Sequence, residues 1–316
     1  MTKPQLTQPL VFEPLFMERV WGGRRLESLY GKRLPSAALI GESWEIVDRE
    51  EAQSVVRDGP LRGKTLHELW TQDRHKIFGD VPDSPRFPLF AKLIDAREKL
   101  SLQVHPPAAV AKKLGSESKT ELWYIVDAGP RAEIYAGLRR GVTRDQFEAA
   151  IHEGSAADLV HRFEVKPGDA MFMPSGRLHT MGAGVLVAEI QQNSDTTYRV
   201  FDWNRAGADG KPRRLHIEES LQSIDFSDFE PELVRTKNET LVRDRAFTVE
   251  KWELTSKREA APRGIFAIFF CLRGELECGG IRFNPGEFFL VPAALKDRHV
   301  SPRVEGTSLL RTTIPL

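Results

Sequence analysis

The chain has 316 residues, of which 41% are hydrophobic and 28% charged, a composition that is normal for a soluble globular protein. Its 45 basic and 45 acidic side chains give a formal net charge of zero, so no charge excess favours nucleic acid or an anionic membrane as partner. Two cysteines exclude a disulfide framework and a zinc-finger pattern.

The N-terminal sequence MTKPQLTQPLVFEPLF has no charged segment followed by a sustained apolar run, so it does not predict a signal peptide. No stretch approaches the roughly 18 consecutive apolar residues of a membrane span. We therefore expect a cytoplasmic protein. Cys271 and Cys278 are expected to be small, apolar-like residues of strands rather than reactive thiols.

Short segments rich in β-branched and aromatic residues dominate the first two thirds of the chain. In chain order, the predicted strands are GESWEIVD, QSVVRD, FPLFAKLIDA, KLSLQVH, ELWYIVDA, AEIYAGL, RFEVKPGDAMFMPSG, GVLVAEIQQ and TTYRVFDW. Three helices are predicted among them. KTLHELWTQD has Thr65 as its cap, TRDQFEAAIHEG has Thr143 and Gln146 at capping-box spacing and ends at Gly154, and HIEESLQSI is the third.

The charged, weakly periodic segment of residues 225–246 is interpreted as a connector between two bodies. It is followed by the predicted strands AFTVEKWEL, GIFAIFFCLRGELEC, IRFNPGEFFLVPA and SLLRTTI. Many short strands with regular turns predict a mainly β protein of antiparallel sandwiches or jelly-roll barrels. We expect two jelly-roll barrels with a few short helices attached to the first, divided into domains 1–228 and 229–316.

A weak internal repeat supports the two-barrel prediction. Residues 164–174 read EVKPGDAMFMP and residues 282–292 read RFNPGEFFLVP, so both have a Pro-Gly-acid turn, an alternating run and a proline in the same register. The first copy continues into SGRLH and the second into AALKD. Only the first copy therefore supplies a histidine, and the second body is expected to be metal-free with a packing role.

Polar residues recur on one face of two predicted strands in the first body. In LSLQVH the residues Gln103 and His105 alternate with apolar ones, and Glu121 lies in the next strand-like run. Facing inward from two adjacent strands of a barrel, His105 and Glu121 could meet His179 of the PSGRLH turn. Two imidazoles with carboxylate and amide oxygens suit zinc or a similar divalent ion with an open position.

Each of these residues also has an ordinary interpretation. His105 could end a strand as a satisfied polar residue, Glu121 could pair with Lys119 or Lys92 at a surface, and His179 could occupy a polar turn. The coincidence of four ligand-type residues in inward-facing register is what favours a metal site.

The motifs QVHPP, KTELWYI and GDAMFMPSGRLH resemble the two metal-binding motifs of the cupin superfamily. More narrowly, ERVWGG, IGESWE, FPLFAKLIDAREKLSLQVHP and PSGRLHTMGAGVLVAEIQQNSDTTYRVFDWNR resemble the short bacterial type I phosphomannose isomerases (mannose-6-phosphate isomerases). The resemblance covers about the first 225 residues closely and the C-terminal part more loosely. It implies a cupin-like fold and a sugar-phosphate substrate. No obligate protein partner is evident from the sequence.

The resemblance also implies a role for particular residues. One Zn²⁺ per chain would be bound by Gln103, His105, Glu121 and His179. The implied catalytic residues are Arg199, Lys119 and Glu189, and the implied substrate-binding residues are Trp21, Glu42, Ser101 and Arg205. Longer members of the family have a lysine where this chain has Arg205.

The implied reaction interconverts mannose 6-phosphate and fructose 6-phosphate through an enediolate, which needs a base and a group that stabilises negative charge. Arg199 stays protonated and is expected to be the stabiliser. The base is left open among a water activated by the zinc, Glu189 and an uncharged Lys119. Phosphate recognition is expected from Lys119, Arg205 and Ser101, since no glycine-rich phosphate loop occurs. His216 is expected to have a structural role.

Two other functions fit the same motifs. The first is a different metal-dependent cupin enzyme, such as an iron dioxygenase or another sugar-phosphate isomerase. The second is a non-catalytic sugar-phosphate-binding protein with two cupin bodies. Zinc content and isomerase activity distinguish the first from our interpretation, and retention of the four ligand-type residues with Arg199 argues against the second.

Overall fold

The computed structural model describes residues 6–206 and 210–315, so the first five residues of the N-terminal segment discussed above lie outside it. The protein is mainly β. The first half contains strands β1 (Leu15–Gly23), β2 (Ile40–Ile46), β3 (Leu89–Ala96), β4 (Leu102–Val104), β5 (Glu121–Ala128), β6 (Glu133–Leu138), β7 (Val160–Glu164), β8 (Ala170–Met173), β9 (His179–Met181), β10 (Val185–Gln192) and β11 (Tyr198–Phe201). The second half contains β12 (Thr240–Arg243), β13 (Thr248–Glu253), β14 (Arg258–Glu259), β15 (Ala267–Arg273), β16 (Leu276–Cys278), β17 (Ile281–Phe283), β18 (Phe288–Val291), β19 (His299–Pro302) and β20 (Ser308–Thr313).

Each half is built from two antiparallel sheets. In the first half, a six-stranded sheet has the order β1-β2-β3-β10-β5-β8 and a five-stranded sheet the order β11-β4-β9-β6-β7. In the second half, a five-stranded sheet has the order β12-β13-β20-β15-β18 and a four-stranded sheet the order β14-β19-β16-β17. This arrangement confirms a mainly β, cupin-like fold.

Short helices occur in the described residues of the first half. They are α1 (Arg25–Tyr30), α2 (Leu66–Gln72), α3 (Arg74–Ile77), α4 (Ala108–Leu114), α5 (Arg144–Glu153) and α6 (Ile217–Ser223), with a 3₁₀ helix at Ala156–Leu159. The three predicted helices are confirmed. In α2 and α5 the capping boxes of Thr65 and Thr143 are formed, and Gly154 ends α5 in the left-handed conformation at φ 76°.

Two details of the predicted organisation are wrong. QSVVRD makes only isolated bridges, in which Gln53, Val55 and Val56 each pair with a different segment, so no strand forms there. The proposed connector of residues 225–246 already contains β12, which belongs to the third sheet. Its charged residues hid this strand because an edge strand exposes one face and one side to water.

The two halves share one apolar core. Phe78 and Phe87 of the first half pack against Phe266 of the second at centroid distances of 5.5 and 5.6 Å. Near the N-terminus, Leu10 exchanges backbone hydrogen bonds with Leu290 at 2.8 and 2.9 Å. The second body therefore packs directly against the first and covers the outer face of the six-stranded sheet.

The two cysteines are free and buried, as predicted. Burial raises the pKa of each thiol to about 12, so neither Cys271 nor Cys278 is a thiolate at neutral pH. None of the helices in the described residues is long and apolar enough to span a bilayer.

Candidate active site

Two histidines and a glutamate converge between the two sheets of the first half. His105 follows β4, His179 begins β9 and Glu121 begins β5, and all three are buried. One ligand-type atom of each lies within 4.8 Å of those of the other two. The expectation that His105 and Glu121 lie on adjacent strands is wrong. They approach from two different sheets, because the chain between them, which includes α4, crosses from one sheet to the other.

Both imidazoles are oriented by backbone carbonyls. Nδ1 of His105 lies 2.8 Å from the Thr196 carbonyl, and Nδ1 of His179 lies 2.8 Å from the Arg177 carbonyl. Since a carbonyl can only accept, each Nδ1 carries the proton and each Nε2 offers a lone pair. The Nε2 atoms lie 3.5 and 3.4 Å from the Glu121 carboxylate. Burial lowers the pKa of both imidazoles, to about 3 for His105, so both are neutral at pH 7.

The Glu121 carboxylate is buried but ionised. Burial disfavours its charge, yet the Lys119 ammonium at 3.0 Å holds its pKa well below the usual range. Apart from the ion pair with Lys119, neither Glu121 oxygen has a hydrogen-bond partner among the described residues, and Nε2 of His105 has none there either. Unpaired buried polar atoms are costly, and one divalent cation between them would satisfy all three. The donor set therefore fits a metal ion such as Zn²⁺.

Gln103 is positioned beside the same cluster. Its backbone pairs with His179 across β4 and β9, and its Nε2 lies 3.4 Å from the Nε2 of that histidine. A half turn of the amide would exchange its oxygen and nitrogen and point the nitrogen at the Ser101 hydroxyl, which can accept. The four side chains predicted as ligands thus gather at one point. Ligation of a metal by these four residues stays a prediction.

A cavity of about 400 Å³ adjoins this cluster, with Gln103 and Lys119 on its wall. The charged side chains on the cavity wall are Arg19, Glu42, Lys92, Lys119, Glu189, Asp195, Arg199 and Arg213. Five are basic and three acidic, although the whole chain is neutral. A cavity with a local excess of positive charge favours an anionic small molecule.

Strand register explains why these side chains meet. Lys92, Glu189 and Trp123 lie directly opposite one another across β3, β10 and β5, and directly opposite residues project from the same face. Arg199 lies opposite Gln103 in the other sheet. Lys92, Glu189 and Trp123 thus reach the cavity region from the six-stranded sheet, and Gln103 and Arg199 reach it from the five-stranded sheet.

A buried ion-pair network fills the wall on the six-stranded sheet. The Lys92 ammonium lies 3.1 Å from Glu189 and 3.4 Å from Glu42, and the Trp123 indole donates to the second oxygen of Glu189 at 2.8 Å. Burial opposes the charge of Glu42, but Lys92 and a neighbouring guanidinium lower its pKa to about 2. Burial instead raises the pKa of Glu189, and the nearby Glu121 carboxylate adds to the effect.

The residues predicted for catalysis and substrate binding lie on the cavity wall with one exception. Those on the wall are Trp21, Glu42, Ser101, Lys119, Glu189 and Arg199. The exception is Arg205, which does not line the cavity and instead binds the carboxylate of Asp202 and the backbone carbonyl of Lys99. The arginine of this region that reaches the cavity is Arg213.

Sequence reasoning missed the polar wall residues Arg19, Lys92, Asp195, Thr197 and Arg213. For Lys92 a signal existed, because a lysine inside the apolar run FPLFAKLI has to find a charged partner once the strand is buried. Arg213 lies in an irregular segment whose position no periodic pattern predicts. His216 has the structural role expected of it, since its Nδ1 accepts the backbone N–H of Arg199 at 3.2 Å.

A cupin-like β fold with a buried His–Glu–His cluster beside a charged cavity is typical of metal-binding enzymes that act on small molecules. Residues 10–134 match the family described as phosphomannose isomerase type I, catalytic domain. The chain belongs to the type I phosphomannose isomerase family, which confirms the resemblance seen in its motifs.

The relatives of the chain agree with this assignment over nearly its full length. A probable mannose-6-phosphate isomerase of Bacillus subtilis (strain 168) is 38% identical over 301 residues, which cover 91% of this chain and 94% of the relative. Mannose-6-phosphate isomerase ManA of the same organism is 39% identical over 279 residues, covering 85% and 87% of the two chains.

Solved structures show the same fold. The mannose 6-phosphate isomerase from Bacillus subtilis has a TM-score of 0.86 at 33% identity, with 97% of this chain and 100% of that chain covered. A mannose 6-phosphate isomerase solved with zinc and yttrium has a TM-score of 0.73 at 17% identity, with 98% and 100% covered. At that identity the second likeness concerns the fold alone.

Proposed function

We propose that the protein is a mannose-6-phosphate isomerase, which interconverts mannose 6-phosphate and fructose 6-phosphate at the cavity described above. The observation that carries this proposal is the meeting of two neutral imidazoles and an ionised carboxylate at the edge of a cavity with excess positive charge. In the described residues, Nε2 of His105 and both Glu121 oxygens have no hydrogen-bond partner. Family membership supplies the substrate.

In the open-chain sugar the reaction moves one proton between C2 and C1 and a second proton between the two oxygens. The base has to accept the carbon-bound proton and return it to the neighbouring carbon. Glu189 is suited to this task, because its buried carboxylate lies on the cavity wall with a raised pKa. Trp123 and Lys92 bind its oxygens and fix its position.

Two cations of the wall are suited to the oxygens of the sugar. Lys119 is buried beside Glu121 and adjoins the metal cluster, so its ammonium can donate to the oxygen at which negative charge develops. Arg199 has no carboxylate within ion-pair distance among the described residues, and its Nε has no hydrogen-bond partner there. Its guanidinium is therefore available to stabilise the enediolate.

The proposed metal is one Zn²⁺ per chain, held by Gln103, His105, Glu121 and His179. When bound, it would supply Lewis-acid stabilisation of negative charge on the oxygens of the sugar. We further propose two barrels, with a catalytic body of residues 1–228 and a C-terminal body of residues 229–316 that binds no metal. The cytoplasmic location and the lack of an obligate protein partner stay predictions.

A coupled assay that follows fructose 6-phosphate formation from mannose 6-phosphate tests the proposal. We expect turnover by the purified protein, its loss after treatment with a chelator and its return when Zn²⁺ is added back. Absence of isomerase activity in zinc-loaded protein would refute the proposal. Bound iron with oxygen consumption would favour the alternative of another metal-dependent cupin enzyme.

A further inference from the structure

Positive charge is concentrated where β11 ends and the segment of residues 213–216 packs beside it. Arg199 and Arg213 both line the cavity here, and Arg205 lies behind them. We call these three residues the arginine cluster. Asp202, buried directly after β11, is the carboxylate that pairs with the cluster in the described residues, and it accepts hydrogen bonds from both Arg205 and Arg213.

Arg213 is held in a fixed orientation by this carboxylate. Its Nε lies 2.7 Å and its Nη2 lies 2.6 Å from the two oxygens of Asp202, which is a bidentate ion pair. Its Nη1 donates to no described residue, although Arg213 lies on the cavity wall. Burial opposes the charge of Asp202, but Arg213 and Arg205 lower its pKa, so the carboxylate stays ionised.

The segment that carries Arg213 is fixed to β11 by backbone contacts. The N–H of His216 donates to the Arg199 carbonyl at 2.8 Å, and the guanidinium of Arg199 donates to the Arg214 carbonyl at 2.9 Å. The side chains of Arg199 and Arg213 are thus presented to the cavity from two adjoining segments. Such preorganisation lowers the entropy cost of binding a ligand.

Elsewhere on the cavity wall the cations are already paired. Arg19 binds Glu42 at 2.8 Å, Lys92 lies between Glu42 and Glu189, and Lys119 binds Glu121. The arginine cluster has three cations and one paired carboxylate, so uncompensated positive charge is left at this end. A phosphate monoester carries a charge of about −1.5 to −2 and matches the planar donors of a guanidinium.

We propose that Arg213, positioned by Asp202, anchors the phosphate group of the substrate, while Arg199 faces the sugar between Arg213 and the metal cluster. This inference rests on the proposed function, which supplies the phosphorylated substrate. Arg213 thereby takes the phosphate-binding role that the sequence suggested for Arg205. Asp202 is a positioning residue, because it acts through Arg213.

Steady-state kinetics of Arg213→Gln test the proposal. We expect KM for mannose 6-phosphate to rise about ten- to hundredfold, with kcat changed less than about threefold, because an anchor for a remote phosphate binds ground state and transition state alike. The inhibition constant of inorganic phosphate, as a competitive inhibitor, should rise by a similar factor.

Arg213→Lys should restore part of the affinity. Asp202→Asn should raise KM by a smaller factor with little change in kcat.

Arg214→Gln is the matched control. Arg214 is exposed, its side chain makes no hydrogen bond or ion pair in the described residues, and the substitution removes the same charge one residue away. It should leave KM and phosphate inhibition unchanged. An unchanged KM and phosphate inhibition constant in Arg213→Gln would overturn the proposal, and so would a loss of kcat at constant KM, which would place Arg213 at the reacting carbons.

Calorimetry separates this inference from the proposed function. If the wild-type protein binds mannose 6-phosphate but does not turn it over, the isomerase proposal fails. Binding of the phosphate group by Arg213 can still be tested in that case. Weaker binding of both mannose 6-phosphate and inorganic phosphate by folded Arg213→Gln would support Arg213 as the phosphate-binding residue. Equal binding by wild type and variant would overturn it.

Discussion

The two halves of the molecule can be compared strand by strand. The order β2-β3-β10-β5-β8 in the first half has its counterpart in β12-β13-β20-β15-β18 of the second. The repeated Pro-Gly turns precede β8 and β18, the edge strands of these sheets, and Gly168 and Gly286 have left-handed φ values of 97° and 88°. The sequence repeat therefore corresponds to a repeat in structure.

At matching positions the side chains differ in kind. Glu121 pairs with Met173 at the start of β5, whereas Ala267 pairs with Val291 at the start of β15. In the register of the repeat, Asp297 stands in place of His179. The second interior is filled by an aromatic stack whose centroid distances are 5.1 Å for Phe269 with Phe289 and 3.8 Å for Phe283 with Phe289.

An ion pair occurs at the same place in both halves with its charges exchanged. Glu189 lies opposite Lys92 in the first half, and Arg311 lies opposite Glu250 in the second, where the two side chains are 2.7 Å apart. The shared framework thus tolerates a charge pair in either order. The same strand order therefore surrounds the His–Glu–His cluster and its cavity in the first half and packs phenylalanines in the second.

The largest effect on turnover is expected when a residue of the His–Glu–His cluster is replaced by its counterpart in the second half. Glu121→Ala introduces the residue found at the matching position of β15 and removes the one anionic member of the His–Glu–His cluster. We expect turnover to fall by more than about a hundredfold, since loss of even an outer partner of a metal ligand costs about 10- to 100-fold. The coupled assay and the metal content of the purified variant measure this.

Ala267→Ser provides the control for this change, because it alters the matching residue of the second half by one polar atom. It should leave turnover and metal content unchanged. Full activity in Glu121→Ala would show that the cluster is not the reaction centre.

Truncating the aromatic stack should lower the free energy of unfolding but leave kcat unchanged. Phe289→Ala removes the ring that contacts both Phe269 and Phe283, at a cost of about 3 to 5 kcal/mol in the free energy of unfolding. The kcat of the molecules that remain folded should equal that of wild type. Urea denaturation and active-site-normalised kinetics measure the two effects.

The matched variant Met171→Ala lies at the corresponding position of β8, opposite Trp123. Because Trp123 binds Glu189, this variant should lose activity as well as stability. A kcat defect in Phe289→Ala as large as that in Met171→Ala would contradict a purely structural second half.

The exchanged ion pairs provide a third test. Arg311→Gln breaks a pair whose side chains are 11% and 18% exposed, which should lower the free energy of unfolding by about 1 to 3 kcal/mol and leave kcat unchanged. Glu189→Gln keeps the shape of the proposed base but removes its charge, and it should lower kcat about 100-fold or more. Equal kcat values for the two variants would exclude Glu189 as the base.

The change of stability with pH should depend on Glu42 of β2, whereas β12, the matching strand of the second half, contains no acidic residue. The pKa of Glu42 is about 2 in the folded protein and 4.5 ordinarily, so the unfolded chain binds its proton first as the pH falls. The stabilising contribution is complete above pH 4.5 and is lost between pH 4.5 and 2, by roughly 1 to 3 kcal/mol.

Urea denaturation at pH 5 and pH 3 measures this contribution. The free energy of unfolding should fall less between these pH values in Glu42→Gln than in wild type. The same fall in both proteins would show that Glu42 is not the group responsible.

Local patterns in the sequence predicted those parts of the structure that depend on neighbours along the chain. Thr65 and Thr143 mark the starts of their helices because a capping box is complete within four residues. The alternation of Gln103 and His105 correctly indicated one inward face. The repeated Pro-Gly pairs predicted turns at Gly168 and Gly286 for the same reason.

Features that depend on the crossing of the chain between sheets could not be predicted in this way. The placement of Glu121 opposite His105, rather than beside it, follows from the path through α4. Which arginine reaches the cavity depends on how the irregular segment around Arg213 packs on β11, and Arg205 and Arg213 compete for the same carboxylate. Spacing along the chain does not distinguish these two arginines.

X-ray absorption at the zinc edge of the purified protein tests the central claim most directly. Four nitrogen and oxygen ligands at about 2.0 to 2.2 Å, with the scattering pattern of two imidazoles, are expected for one ion per chain. Sulfur at about 2.3 Å, which would point to Cys271 or Cys278, or a protein that takes up no zinc, would contradict the account.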